Sequence, residues 1–255
     1  MRVALLKNWA LFLAIACLYG SALPLAYAGK NKSSKSHKKE ASLNKVDTTP
    51  NTEDSGVFTL TSEANLYQYS LYENLDLDYS SSDGWDIQLA SYNIPVYQDP
   101  NLDQSYQADT FINVSKTFKI NSSFGVLIGT QNGAYLSASP PPMRWQNFDY
   151  SLALYQVNRY MSVRAGLYWA NNNMSGTTNV LGYLPGITLT LIDDTLSLQA
   201  DYYSGQSSLS GAVVNLQYQA TSYFQTYIGV GVPETNSGNE FYGILGFSLS
   251  SKGTF

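Results

Sequence analysis

Apolar residues occupy every second position through much of residues 56–255, which is the pattern of β-strands with one apolar face. In the last such segment Phe241, Leu245, Phe247 and Leu249 stand at odd positions, and the even positions are smaller and more polar. No apolar run in this region is long enough to cross a bilayer as a helix. The pattern therefore predicts an all-β fold.

The predicted strands are joined alternately by short turns and longer loops. Short turns are expected at residues 119–123, 158–160, 193–194 and 220–223. The longer connections are rich in Asn, Gly, Ser and Pro, and they are residues 97–106, 132–146, 171–178, 204–208 and 233–239. This division is typical of a transmembrane antiparallel up-and-down β-barrel. A soluble β-sandwich, the alternative for alternating strands, does not predict it.

The number of strands follows from parity. Ten strands are predicted from Trp85 onward, residues 65–79 form one more, and residues 57–61 supply another. Glu73 interrupts the alternation within residues 65–79. Because both termini of a single-chain bacterial barrel usually lie in the periplasm, the number is even. Twelve strands are predicted, with ten as the alternative.

Export signals precede this region. Residues 1–28 are predicted to be a cleaved signal peptide, because an apolar core is followed by Ala26-Tyr27-Ala28, which fits the small-x-small cleavage rule. Lipoprotein processing at Cys17 is the alternative. Cleavage after Ala28 removes Cys17, the single cysteine of the chain, and so excludes disulfides and cysteine chemistry in the mature protein.

Composition separates a leader from the barrel. Residues 29–55 are rich in Lys, Ser, Thr and Asn and are predicted to be a disordered periplasmic leader, either a tether or a solvated spacer. Residues 56–255, the predicted barrel, carry six Lys plus Arg against fifteen Asp plus Glu, hence a net charge of about −9. Low charge with abundant Tyr and Gly fits a transmembrane barrel.

The chain ends on Phe255, directly after the closing strand. A terminal aromatic in this position resembles the C-terminal signature of Gram-negative outer-membrane β-barrel proteins, and residues 56–255 resemble the porin-like members of that class. The resemblance implies insertion by the barrel-assembly machinery into the cell outer membrane, in contact with lipid and lipopolysaccharide. It indicates no specific family, so no functional residues are carried over from one.

Catalytic chemistry is not predicted. The familiar barrel enzymes of the outer membrane use a barrel-borne histidine as acid or base, whereas the single histidine here, His37, lies in the leader. Acidic residues are scattered, so no metal site is predicted, and a surface Ca²⁺ site at Asp99 and Asp103 is the weaker alternative to a solvated acidic loop. No catalytic residue, no cofactor and no nucleic-acid partner is expected.

The polar faces of the strands are expected to line a lumen. In the hairpin around residues 158–160, alternation assigns Phe148, Tyr150, Leu152 and Leu154 to the lipid face and Tyr155 to the lumen. The predicted lumen-lining residues are Asp86, Asp109, Asp149, Arg164, Gln199, Asp201, Asn215, Tyr168 and Tyr203.

An acidic polar lumen disfavours anions. The sequence therefore predicts a narrow passive channel for small polar or cationic solutes, gated by the loop with prolines at 140–142 or by another loop folded inward. The alternative is a non-conducting structural or surface-binding barrel of unknown partner, because small barrels are often filled by side chains.

The terminal aromatic gives a first testable prediction. Deletion of Phe255 is expected to lower the amount of folded, heat-modifiable barrel in outer-membrane fractions, because the assembly signal is lost. A normal yield of folded barrel after the deletion would show that Phe255 is not such a signal.

Overall fold

The structure, a computed structural model, describes residues 56–99, 107–137, 144–176 and 178–251. The predicted signal peptide and leader lie outside the described residues, as do Asp103, the prolines at 140–142 and Phe255. Within the described ranges, no helix is long and apolar enough to cross a membrane.

Thirteen strand segments and one short helix follow one another within the described residues. The strands are β1 (Val57–Leu66), β2 (Ser70–Ser80), β3 (Trp85–Gln98), β4 (Gln107–Lys119), β5 (Phe124–Ser137), β6 (Trp145–Asn158), β7 (Met161–Ala170), β8 (Val180–Tyr183), β9 (Gly186–Ile192), β10 (Leu196–Tyr203), β11 (Gly211–Thr221), β12 (Phe224–Pro233) and β13 (Tyr242–Ser250). The helix α1 (Asn172–Ser175) lies between β7 and β8, and the Asn171 side chain caps it by accepting a hydrogen bond from Met174 N.

Neighbouring strands pair antiparallel, and the sheet closes on itself. β1 pairs with β13, and β6 pairs with β7. β8 and β9 both pair with β7 and are separated by Leu184 and Pro185, so they are two halves of one barrel strand. Proline has no N–H to donate to a ladder, which suits it to this interruption. The fold is a closed antiparallel barrel of twelve strands, and the predicted fold class is confirmed.

The two N-terminal strands have different bounds from those predicted. β1 continues to Leu66 and β2 begins at Ser70, so the turn lies at residues 67–69. A hydrogen bond from Tyr67 N to Ser70 O (2.9 Å) closes this turn, which contains none of the Gly, Pro, Asn or Asp residues that mark turns in a sequence. The irregularity at Glu73 is a β-bulge in the pairing with β3.

The outer face of the barrel is apolar. Leu89, Ile112 and Ile128 project outward from β3, β4 and β5 and are 54%, 55% and 52% exposed. Buried hydrophobic residues are few, and Phe111 and Ile244, both 2% exposed, lie on the inner face. A largely apolar exterior around a polar interior is suited to lipid rather than to water.

Short turns follow β2, β4, β6, β9 and β11 at one end of the barrel, here called the turn end; the opposite end is the loop end. At the turn end Lys116 reaches from the outer face of β4 to the β2–β3 turn, where its Nζ lies 3.1 Å from Asp83 Oδ2 and 4.9 Å from the centre of the Trp85 ring. Hydrogen bonds from Ser81 and Lys116 hold the pKa of Asp83 below its usual range. The ammonium group therefore lies at the rim of the barrel although its stem is on the apolar face.

Adjacent residues of β3 test the assignment of the two faces. Leu89→Arg places a charge on the apolar outer face and is expected to lower the free energy of unfolding by about 2–4 kcal/mol near the bilayer midplane and less toward the interfaces. The matched variant Gln88→Arg places the same side chain on the inner face, beside Asp78, and is expected to change the stability little. Guanidinium unfolding of the protein in lipid vesicles measures both variants. Equal losses would contradict the assignment.

Candidate functional site

One wall of the barrel interior carries four carboxyl groups. The inner faces of β1, β2 and β3 hold Glu63, Asp76, Asp78 and Asp86, here called the acidic wall. Cross-strand pairing orders them from Asp86 near the turn end to Glu63 toward the loop end. Within the described ranges, no group of three or more ligating side chains could hold a metal ion. The carboxyl groups therefore form a row rather than a single chelating site.

The hydrogen bonds of the acidic wall come from neutral donors. Glu63 accepts hydrogen bonds from Asn74 Nδ2 (3.1 Å) and the Tyr227 hydroxyl (3.0 Å). Asp86 accepts one from Ser80 Oγ (2.6 Å). Asp76 Oδ1 is buried without a hydrogen-bond partner among the described residues. No described lysine or arginine forms a salt bridge with these four groups.

The facing wall carries a neutralised cation. Arg164 of β7 donates from Nε to Asp201 Oδ1 of β10 (2.7 Å), and its terminal nitrogen bonds the second carboxylate oxygen. This fork-to-fork geometry is the strong form of the arginine–carboxylate pair. The pair spans β9, which lies six barrel strands from β2 in either direction around the sheet. An acidic wall therefore faces a wall with no net charge from this pair.

Amide side chains extend the ion pair around the barrel. Gln199 Nε2 donates to Asp201 Oδ2 (2.8 Å), and Gln217 Nε2 donates to Gln199 Oε1 (3.0 Å). Gln225 Nε2 in turn donates to Gln217 Oε1 (3.2 Å). This ladder crosses β10, β11 and β12 and holds the carboxylate of Asp201 in place, which fixes Arg164 as well.

Inner side chains reach two strands away by passing over a glycine. The Tyr227 hydroxyl of β12 reaches Glu63 of β1, and the strand between them presents Gly246, on which a Cβ would overlap the Tyr227 ring. Tyr150 reaches Asn113 (3.1 Å) over Gly129 in the same manner. The Arg164–Asp201 pair crosses Gly186, and Tyr168 lies over Gly182. The sequence places glycines where the interior requires rings and ion pairs to lie flat against the wall.

A cavity of about 830 Å³ occupies the interior toward the loop end. Glu63, Asn74, Tyr92, Gln131 and Tyr242 contribute to its lining, together with residues of most other barrel strands. A smaller cavity of about 260 Å³ lies beside Arg164 and Asp201. Polar side chains and aromatic rings share the lining of the larger cavity, as is usual for sites that bind small polar molecules.

Two loop-end segments pack together beside this cavity. Ser208 N donates to Ser175 O (3.1 Å) and Ser208 Oγ donates to the same carbonyl (2.9 Å), so the β10–β11 loop is fastened to α1. Met174 and Leu209 from these segments line the cavity, and Ser207 is fully buried. These two segments therefore border the cavity at its loop end, whereas the predicted gate at residues 140–142 lies outside the described residues.

Eight of the nine predicted lumen residues lie on the inner face, namely Asp86, Asp109, Arg164, Tyr168, Gln199, Asp201, Tyr203 and Asn215. Asp109 is buried and accepts hydrogen bonds from Asn93 Nδ2 (2.9 Å) and Gln146 Nε2 (2.8 Å). Tyr168 donates to Ser204 O (2.6 Å). Asn215 Oδ1 is buried without a partner among the described residues.

Asp149 is on the other face, and the expectation that it lines the lumen is wrong. It is exposed, shares the outer face with Thr130, and accepts a hydrogen bond from Thr130 Oγ1 (2.5 Å). The register of β6 against β7 shifts between Gln156 and Asn158. A shift of one residue next to the turn moves the side chains of β6 that lie beyond it, toward the loop end, to the opposite face.

The same shift reverses the remaining assignments in β6. Phe148, Tyr150, Leu152 and Leu154 lie on the inner face, where Phe148 stacks on Tyr168 with ring centres 5.1 Å apart. Tyr155 is 48% exposed and lies on the outer face. The apolar stripe read from the sequence is real, but in β6 it packs inside the barrel.

Sequence reasoning missed three residues of the acidic wall as lumenal groups. Asp76 and Asp78 alternate with the outward residues Leu75 and Leu77, a signal that was available in the sequence. Glu63 falls between the two predicted strands at residues 57–61 and 65–79, so its face could not be assigned before the turn at residues 67–69 was known.

The fold is that of porin-like outer-membrane β-barrels. No protein-family model and no curated protein matches the chain. Among solved structures the chain is similar to the KdgM porin in complex with disordered oligogalacturonate, with 16% identity and a TM-score of 0.51 over 76% of this chain and 98% of that one.

Two further structures are similar to the chain. A second structure of the KdgM porin has 15% identity and a TM-score of 0.50 over 75% of this chain and 98% of that one. The Salmonella typhi outer membrane phospholipase dimer with bound calcium has 11% identity and a TM-score of 0.45 over 83% and 97%. The KdgM similarities show a shared fold without a specific family.

Two glycines of β13 test the bracing of the interior. Gly246→Ala is expected to lower the free energy of unfolding by about 1–3 kcal/mol, because the new Cβ displaces the Tyr227 ring and its hydrogen bond to Glu63. In Gly243→Ala the nearest atom to the Cβ is Leu66 Cβ at 3.9 Å, so stability is expected to stay within about 1 kcal/mol or to rise. Guanidinium unfolding compares the two variants, and equal stabilities would refute the overlap.

Proposed function

We propose that the barrel spans the outer membrane and acts as a narrow passive channel for small polar or cationic solutes. The single observation that supports this most is the acidic wall, with which no described lysine or arginine pairs, opposite an arginine that is already paired. Because carboxylates in a confined lumen raise the local concentration of cations and lower that of anions, such an interior is selective by charge.

Three of the five described basic residues support the same direction of selectivity. Lys116 lies on the outer face, Arg159 stacks on Tyr160 in the β6–β7 turn, and Arg164 is bound to Asp201. The KdgM porin of the similar structure binds oligogalacturonate, which is a polyanion. The acidic wall would repel a polyanion, so the solute of this chain is proposed to be neutral or cationic.

The protein is proposed to act without catalysis and without a cofactor. Its single histidine, His37, lies in the predicted leader, so the barrel strands offer no imidazole for acid–base work. The proposed partners are membrane ones: lipid and lipopolysaccharide against the apolar exterior, and the barrel-assembly machinery at the C-terminal strand.

A non-conducting barrel is the second candidate. The observation that favours it is the packing at the loop end, where α1 and the β10–β11 loop are joined by hydrogen bonds and Ser175 and Ser207 are fully buried. A fixed plug in that position would leave a structural or surface-binding barrel. Conductance of the purified protein in planar bilayers separates the two, since a folded but silent barrel favours this candidate.

Selectivity is tested by removing two charges of the acidic wall. Asp76→Asn with Asp78→Asn is expected to lower the cation-to-anion permeability ratio about two- to fourfold at low salt, as estimated for two charges about 10 Å from the path in water. Asp149→Asn removes a charge from the outer face and is the matched control. Reversal potentials across a KCl gradient measure the ratio. The assignment fails if the double variant and the control both match the unaltered protein.

A further inference from the structure

The cavity toward the loop end is surrounded by aromatic rings. They come from widely separated parts of the barrel and include Tyr67, Tyr72, Tyr92, Phe111, Tyr203 and Tyr242. Tyr67 stacks on Tyr242 with ring centres 5.0 Å apart, and Tyr92 packs against Phe111 at 5.6 Å. Rings that support one another in this way present large rigid surfaces and lose little freedom when a ligand binds.

Between the rings stand amide side chains, among them Asn65, Asn74, Gln98, Gln131 and Asn239. An amide both donates and accepts hydrogen bonds, as a hydroxyl group does. Asn65 is 7% exposed, and its Oδ1 has no hydrogen-bond partner among the described residues. A buried unpaired acceptor is costly, and a turn of the Asn65 amide toward the cavity that it lines would let a ligand donor remove that cost.

The charged residues of the cavity disfavour anions, and their hydrogen bonds are satisfied without a bound cation. Glu63 and Asp109 line it, and the described lining contains no lysine, arginine or histidine. Both carboxyl groups already accept two hydrogen bonds from neutral side chains. An ammonium group only donates hydrogen bonds, so the N–H groups of the amides cannot bond it. The hydroxyl groups of a ligand can bond both the N–H groups and the carbonyl oxygens of the amides.

We propose that this cavity is a binding site for a neutral oligosaccharide. This deepens the proposed channel function by naming the solute class. The apolar C–H faces of pyranose rings lie against the tyrosine rings, and their hydroxyl groups bond the amides. The volume of about 830 Å³ falls in the range of roughly 300–1,000 Å³ that is usual for small-molecule sites.

Binding is tested on the folded mature chain in detergent micelles, by calorimetric titration with maltotriose, cellotriose, chitotriose and mannotriose. Saturable binding of at least one of them is expected, with no binding of trigalacturonate and weaker binding of putrescine. Failure of all four neutral trisaccharides to bind overturns the proposal, as does tighter binding of trigalacturonate or putrescine.

Variants locate the site. Tyr72→Ala is expected to weaken binding roughly three- to tenfold, as estimated for the loss of one aromatic contact. Tyr218→Ala removes a ring that is 47% exposed on the outer face and is expected to bind as the unaltered protein does. Heat-modifiable migration shows whether each variant folds. If Tyr72→Ala does not fold, Gln131→Leu takes its place as the cavity variant, because leucine is similar in size to glutamine. Unchanged affinity in the folded cavity variant would refute the assignment.

Titration in micelles does not depend on conductance, so the two proposals can fail separately. A barrel that binds trisaccharides but conducts no current in bilayers would refute the channel function and support the binding site. A cation-selective barrel that binds no trisaccharide would refute the binding site and support the channel function.

Discussion

β1 pairs with β13 from Thr59–Ser250 to Leu66–Gly243, and this pairing removes the last two open edges of the sheet. The seam ends with hydrogen bonds from Ser251 N to Phe58 O (2.8 Å) and from Phe58 N to Ser251 Oγ (2.9 Å). In a bilayer, unpaired backbone groups have no water to bond, so only closed sheets span it. Closure also creates an inside, and the chemistry of the inner residues depends on it.

The closed barrel distributes apolar and polar side chains in the opposite way to a soluble domain. Aliphatic side chains cover the exterior, and carboxyl groups, amides and tyrosines fill the interior. Pairing then decides what each interior charge contributes to the field in the lumen. Arg164 and Asp201 cancel one another, whereas no described lysine or arginine pairs with the acidic wall. The proposed selectivity therefore rests on which carboxylates have a partner, more than on how many there are.

Much of the fold could be predicted from alternation alone, because period-two patterns and turn residues are local. Side-chain faces could be predicted only where the register was regular. The shift between Gln156 and Asn158 reversed β6 and moved Asp149 outward, and the bulge at Glu73 concealed the pairing of β2. Bulges depend on the neighbouring strand, so one sequence read by itself does not reveal them. The cavity was equally hidden, since its rings come from distant segments.

The glycines beneath the inner tyrosines have a further consequence. Because Gly129 and Gly246 leave room for the rings of Tyr150 and Tyr227 to lie along the wall, the free bore is wider than the number of aromatic residues suggests. The width left inside the barrel then depends on the local pairing of a ring with a glycine as well as on the number of strands. Related barrels of the same size could widen or narrow in steps, one ring at a time, without any change in their backbone.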